Sequence, residues 1–314
     1  GDNIAIGCMA LCGHSTAACN TGNNNIALGK AAGKNICSGE CNVLVGCGAG
    51  SSLESGSFNV FMGLGAGLLS DKNSSNVFIG RYAGQCVKIL TTGGSANSNV
   101  FTGMYTGKCR CQGDNNIALG NRAFMGSSTY ANNTGSGNVV LGKCAGTNVS
   151  TGYCNVVLGM HAGNNLTSGY SNVFLGNCAG KGSDNEYQGV AIGDCAGAGT
   201  ASVSVGTLAN CIGGGSNNVS LGPQAGKKIS TGNANVSLGV CAGCSVSTGS
   251  LNIAIGFDAL QGNGSTCVTG DNNIAIGRCA GRCVTAGSYN LFFGHKSGCN
   301  VTSGQQNIAI GKDV

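Results

Sequence analysis

The chain has 314 residues, among them 59 Gly, 20 Cys, one Pro and no Trp, and only 9% of its residues are charged. Average chains carry about 7% Gly and about 25% charge; a charge-swollen disordered chain is excluded, and so is collagen, which needs abundant Pro and a Gly at every third residue. The net charge of +5 is scattered, with Lys227-Lys228 as the longest basic run, so nothing points to a nucleic-acid partner.

One short phrase organises everything else. Asn42-Val43-Leu44-Val45-Gly46 returns as Asn59-Val60-Phe61-Met62-Gly63, and again, after an equal interval, as Asn76-Val77-Phe78-Ile79-Gly80. Eighteen such phrases run along the chain, starting at Asn3 and ending with the one at Asn307, and most of the intervals between them are the same length. A fixed period with sporadic insertions is the signature of a solenoid. The phrase predicts an all-β, parallel β-solenoid (a β-roll) of about 18 coils with a modal 17-residue repeat. Residues 1–314 are expected to form one elongated domain.

Positions are counted here from the Asn. Position 2 is Ile, Val or Leu in every copy, and position 5 is always Gly, from Gly7 to Gly311. The β-branched bias favours strand, and the invariant Gly predicts a bend that needs positive φ or close packing. Position 8 is mostly Ala and position 9 mostly Gly. Leu11, Phe124 and Leu260 replace that Gly in coils with long intervals, and are expected to cover the longer loops. An aliphatic residue at position 12 followed by Ser or Thr and Gly reads as a plug and a turn.

Alternation along a strand suggests that positions 2 and 4 point into the coil and position 3 points out. Position 3 never carries a charge; it holds Leu44, Phe61, Phe78, Phe101, Val140, Val157, Phe174 and Phe292. An outward apolar stripe of that length is expected to be an interface between copies of the chain. The last phrase is followed by only three residues, so neither end shows a polar cap, and head-to-tail stacking is a further expectation. The Asn at position 1 fits a ladder of amides, each bonded to the next coil.

The even, high cysteine count, without paired C-x-x-C knuckles and His, argues against zinc and for an oxidising compartment. Equivalent positions on adjacent coils lie about 5 Å apart, within disulfide reach. Cys19 with Cys41, Cys86 with Cys109, and Cys178 with Cys195 meet that condition; Cys283 and Cys299 are offset by one position. Asn148, Asn165 and Asn300 head Asn-x-Ser/Thr triplets at position 11, near a turn, and are glycosylation candidates. No stretch reaches 18 apolar residues, so no membrane span is expected. The three His lie many coils apart without clustered carboxylates, so neither catalysis nor a cofactor is expected.

The phrases Asn3-Ile4-Ala5-Ile6-Gly7, Asn25-Ile26-Ala27-Leu28-Gly29-Lys30-Ala31-Ala32 and Asn252-Ile253-Ala254-Ile255-Gly256-Phe257-Asp258-Ala259 resemble the head repeats of trimeric autotransporter adhesins and the repeats of phage and giant-virus fibre proteins. The resemblance implies a β-roll that assembles as a trimer in an extracellular rod or adhesin. The expected function is a structural subunit of an extracellular or virion-surface fibre, self-associating and stapled by disulfides. An adhesin head and an ice-binding solenoid are the alternatives.

Overall fold

The computed structural model describes residues 1–13, 15, 21–86, 96–110, 112–126, 133–180, 184–263 and 266–314. The chain divides into two compact units, Gly1–Gly169 and Tyr170–Val314. Among the described residues each unit carries nine short strands, from Ile4–Ile6 to Val156–Leu158 and from Val173–Leu175 to Ile308–Ile310, and there is no helix. Within a unit each strand pairs in parallel with the next one, without a slip of register: Val43 faces Val60, Leu44 faces Phe61 and Val45 faces Met62. Each unit is therefore a parallel β-solenoid with one strand per coil, and long intervals change the connection without disturbing the ladder.

The bend after each strand explains the invariant glycine. At position 5, φ runs from +123° to +135°, a region that only Gly occupies without strain. Position 9 is also left-handed, except at Gly197 in the shortest coil. At position 9, Gly67, Gly84 and Gly107 lie flat against the rings of Phe61, Phe78 and Phe101, so that a Cβ would meet ring carbons. Leu11, Phe124, Asn210 and Leu260 adopt the same left-handed turn with side chains attached. Phe124 and Leu260 are completely buried, so they fill the core of their coils rather than cap a loop.

The strand parity is the reverse of the one expected from the sequence. Leu44, Phe61, Phe78, Phe101, Val140, Val157, Phe174 and Phe292 at position 3 are at most 1% exposed. They form the coil's interior and cannot be an outward stripe. The aliphatic side chains at positions 2 and 4 stand outside instead. Alternation itself holds, but its phase is set by position 1, because the Asn points inward and carries position 3 with it.

That Asn is the polar spine of the coil. Asn59 Nδ2 donates to Asn42 Oδ1 at 3.0 Å and to the Asn73 carbonyl at 2.8 Å, and its Oδ1 accepts the Asn76 backbone N–H at 3.0 Å. The same bonds recur from coil to coil and satisfy amides whose burial would otherwise be costly. The ladder is interrupted at Gly189 and Ser202. The coil between them is the shortest of the repeats. A Cβ on Gly189 would stand 3.1 Å from both Ala198 and the Gly199 carbonyl. Gly189 still donates its N–H to Asn172, and Ser202 Oγ accepts that of Asn218.

Core filling follows size. Ala27 and Ser220 share their coils with Ile36 and Ile229, whereas Phe61 shares its coil with Ser70, and all six are buried. Phe61, Phe78 and Phe101 stack with centroids 4.8 and 5.1 Å apart. Next to them Arg110 takes the place of the aliphatic plug at 1% exposure. Its guanidinium lies 4.0 Å over the Phe124 ring and donates to the carbonyls of Val149 and Gly135 at 2.8 Å each. A buried cation is tolerable when its charge is met by such acceptors and by an aromatic face.

Candidate assembly face and thiol-bearing edge

The outer face of each sheet follows from the parity just described. Positions 2 and 4 put two columns of Val, Ile, Leu and Met side by side on nine successive coils. Met62, Ile79, Ile117 and Leu119 in the first unit are 38–41% exposed, and Leu221 and Phe293 in the second are 39% and 52% exposed. Thr102 is the one polar member of the first unit's columns. The apolar surface expected from the sequence is therefore present, but on the residues flanking those first assigned to it.

Positions 6–11 turn away from the sheet and form an edge. This edge collects many of the cysteines, which are free thiols at Cys109, Cys178, Cys195, Cys283 and Cys299; Cys41, on the opposite turn, is free as well. The disulfides expected among these residues are not formed. Cys19, the proposed partner of Cys41, lies outside the described residues. Cys86 is half-buried one coil from Cys109, and its backbone N–H donates to the Lys108 carbonyl at 2.9 Å.

Two thiol pairs are close enough to influence each other. Burial, then Asp194, then Cys178 raise the Cys195 thiol above the ordinary range, and its Sγ donates to Asp194 Oδ1 at 3.8 Å. Cys244 is pushed up to about 11, first by burial and then by Cys241, three residues earlier on the same turn. Both thiols therefore favour the protonated form near neutral pH, which slows their oxidation without preventing it. Cys283 and Cys299 line one cavity of about 340 Å³ together with Cys279, Arg282, Lys296 and Asn300. Arg282 Nε donates to Gln261 Oε1 at 2.9 Å beside it. Among the described residues no group of three or more His, Cys, Asp or Glu is placed to hold a metal ion.

The sequon asparagines sit on the same edge. Asn148 and Asn300 are exposed and Asn165 is half-exposed. In the first two triplets the middle residue points into the coil: Val149 and Leu166 have no exposure. Ser150 Oγ donates to the Thr167 carbonyl at 3.0 Å, which ties the first triplet's hydroxyl to the next coil.

No family model matches the chain, and no curated protein matches it in sequence. The coil geometry is accordingly the firmest guide to function. No helix among the described residues is long and apolar enough to cross a membrane.

Proposed function

We propose that the protein is a structural subunit of an extracellular or virion-surface fibre, assembled by lateral association of copies through the outward sheet face. The observation that carries this reading is the pair of in-register aliphatic columns on positions 2 and 4. In each unit they run over nine coils, with members such as Met62, Ile79, Ile117 and Leu119 at 38–41% exposure, a continuous apolar face of the kind that marks an interaction surface. The regular rung spacing suits a second copy, because it presents the same spacing. The resemblance of the repeats to adhesin heads and viral fibres supports the same reading, and the high cysteine count supports an oxidising location. Sugars on Asn148 or Asn300 would lie on the edge, clear of the sheet face.

Light scattering with size-exclusion chromatography tests the proposal. The wild-type chain is expected to elute as an oligomer or fibre, and the double variant Met62→Lys/Ile79→Lys as a smaller species with an unchanged β-sheet circular dichroism spectrum. A wild-type chain that stays monomeric at high concentration would refute lateral assembly.

A further inference from the structure

The charges look scattered in the sequence, but the coil sorts them in the first unit. Carboxylates Glu40, Glu54, Asp71 and Asp114 fall at positions 13–16, on the turn that leads into the Asn, where Lys72 also stands. The opposite edge, at positions 6–10, carries Lys30, Lys34, Arg81, Lys108, Arg122 and Lys143, with no carboxylate among the described residues there. Four of these cations occupy four successive coils, one each from Arg81 to Lys143, at a spacing of about 4.8 Å per coil. The second unit's edge is mixed instead. There Asp313 lies 3.5 Å from His295 and 3.9 Å from Lys312.

Two tyrosines are built into the cationic row. Tyr82 and Tyr105 occupy position 7 on adjacent coils and stack at 5.6 Å, inclined by 15°. Arg81 lies 5.3 Å from the Tyr82 centroid, and Lys108 Nζ lies 4.8 Å from that of Tyr105. A Cβ on Gly65 would stand 2.6 Å from the Tyr82 ring, so that ring also covers the preceding coil. The ring faces are thus taken up by each other, by backbone and by cations.

We infer that this edge of the first unit is a docking surface for an anionic polysaccharide, sulfated or uronate-bearing, laid along successive coils. Cations on four successive coils, staggered between positions 6 and 10, meet a chain that carries charge along its length. Cation–π packing holds Arg81 and Lys108 in place before the ligand arrives, which lowers the ordering cost of binding. A single-stranded nucleic acid fits less well, because stacking of bases requires open aromatic faces and both rings here are covered. The edge is a different surface from the sheet face, so the inference does not depend on lateral assembly.

The test uses the full-length chain and a heparin-type sulfated oligosaccharide, with uncharged dextran and a single-stranded oligonucleotide for comparison, at near-physiological salt. Two variants are compared by affinity. Arg81→Gln/Lys108→Gln/Arg122→Gln/Lys143→Gln discharges the row, and Arg278→Gln/Arg282→Gln/Lys296→Gln/Lys312→Gln removes the same formal charge from the second unit. The wild type is expected to bind the sulfated probe and not dextran. The first variant should lose about tenfold or more and become less salt-sensitive, and the second should change less than twofold. If the first variant does not fold, Arg122→Gln/Lys143→Gln, which leaves the tyrosine-packed cations in place, is read instead with a loss of about threefold. No binding by the wild type, equal losses in the two variants, or tighter binding of the oligonucleotide would overturn the inference.

Discussion

Gly63 holds φ at +135°, and a Cβ there would stand 2.5 Å from the carbonyl oxygen of Gly80 on the next coil. Gly63→Ala combines that clash with a left-handed backbone, and is expected to cost about 3 kcal/mol or more, seen as a drop in thermal midpoint or loss of soluble protein. Asn210 is the opposite case. It is completely buried, its amide oxygen and nitrogen have no protein partner, and its φ is +42°. Asn210→Gly restores the usual residue for that turn and removes the buried amide. It is expected to raise the thermal midpoint, by an equivalent of about 1–3 kcal/mol. The glycines were legible in the sequence, because an invariant Gly after a strand has few explanations. Asn210 was not: a lone Asn in an Asn-rich chain gives no sign that it is turned inward.

A strand this short has its phase decided by its neighbours. Positions 2 and 4 are the most regularly aliphatic, and hydrophobicity alone assigns them to the interior. The Asn at position 1 carried the correct phase: an amide ladder requires it to point inward, and parity then buries position 3. The size of position 3 was a second sign, since it ranges from Ala27 to Phe61 while the plug at position 12 shrinks from Ile36 to Ser70. Phe78 is stacked between Phe61 and Phe101, so Phe78→Ala is expected to cost about 3–5 kcal/mol by opening a cavity. Calorimetry is the measurement, and Phe78→Leu, which keeps more of the volume, should cost less. Cys178 lies near enough to Cys195 to act on its thiol, but spacing cannot report oxidation. Mild oxidant is expected to join these two thiols, as read by peptide mapping without reductant. The loop so closed should add about 3 kcal/mol; a map that shows both thiols intact would refute the pairing.

For the molecule as a whole, the sequence disclosed the coil but not what the coil brings together. Tyr82 and Tyr105 are more than one repeat apart along the chain, and the insertion between them hides that they are neighbours in space. The same holds for the cations from Arg81 to Lys143, which become a row only once the coils are laid in register. Composition alone therefore underestimates the surface of a repeat protein. The low overall charge of 9% is compatible with a strongly one-signed edge, because the carboxylates of the first unit are held on the other side. Raising the salt concentration is expected to weaken binding at that edge while leaving association through the aliphatic face unchanged or stronger, since screening acts on the one and not on the other. Parallel titrations of probe affinity and oligomer mass would separate the two surfaces.

Within each unit a strand touches only the strand before it and the strand after it. The coil number is thus a free parameter of the design. Excising residues 42–58 would set Asn25 beneath Asn59, Ala27 beneath Phe61 and Gly29 beneath Gly63, each a pairing of like positions. Such a chain is expected to fold, one rung shorter, whereas excising 42–57 instead would put Phe58 where the ladder needs an amide. Length can therefore change by whole-repeat recombination without any new core having to be invented.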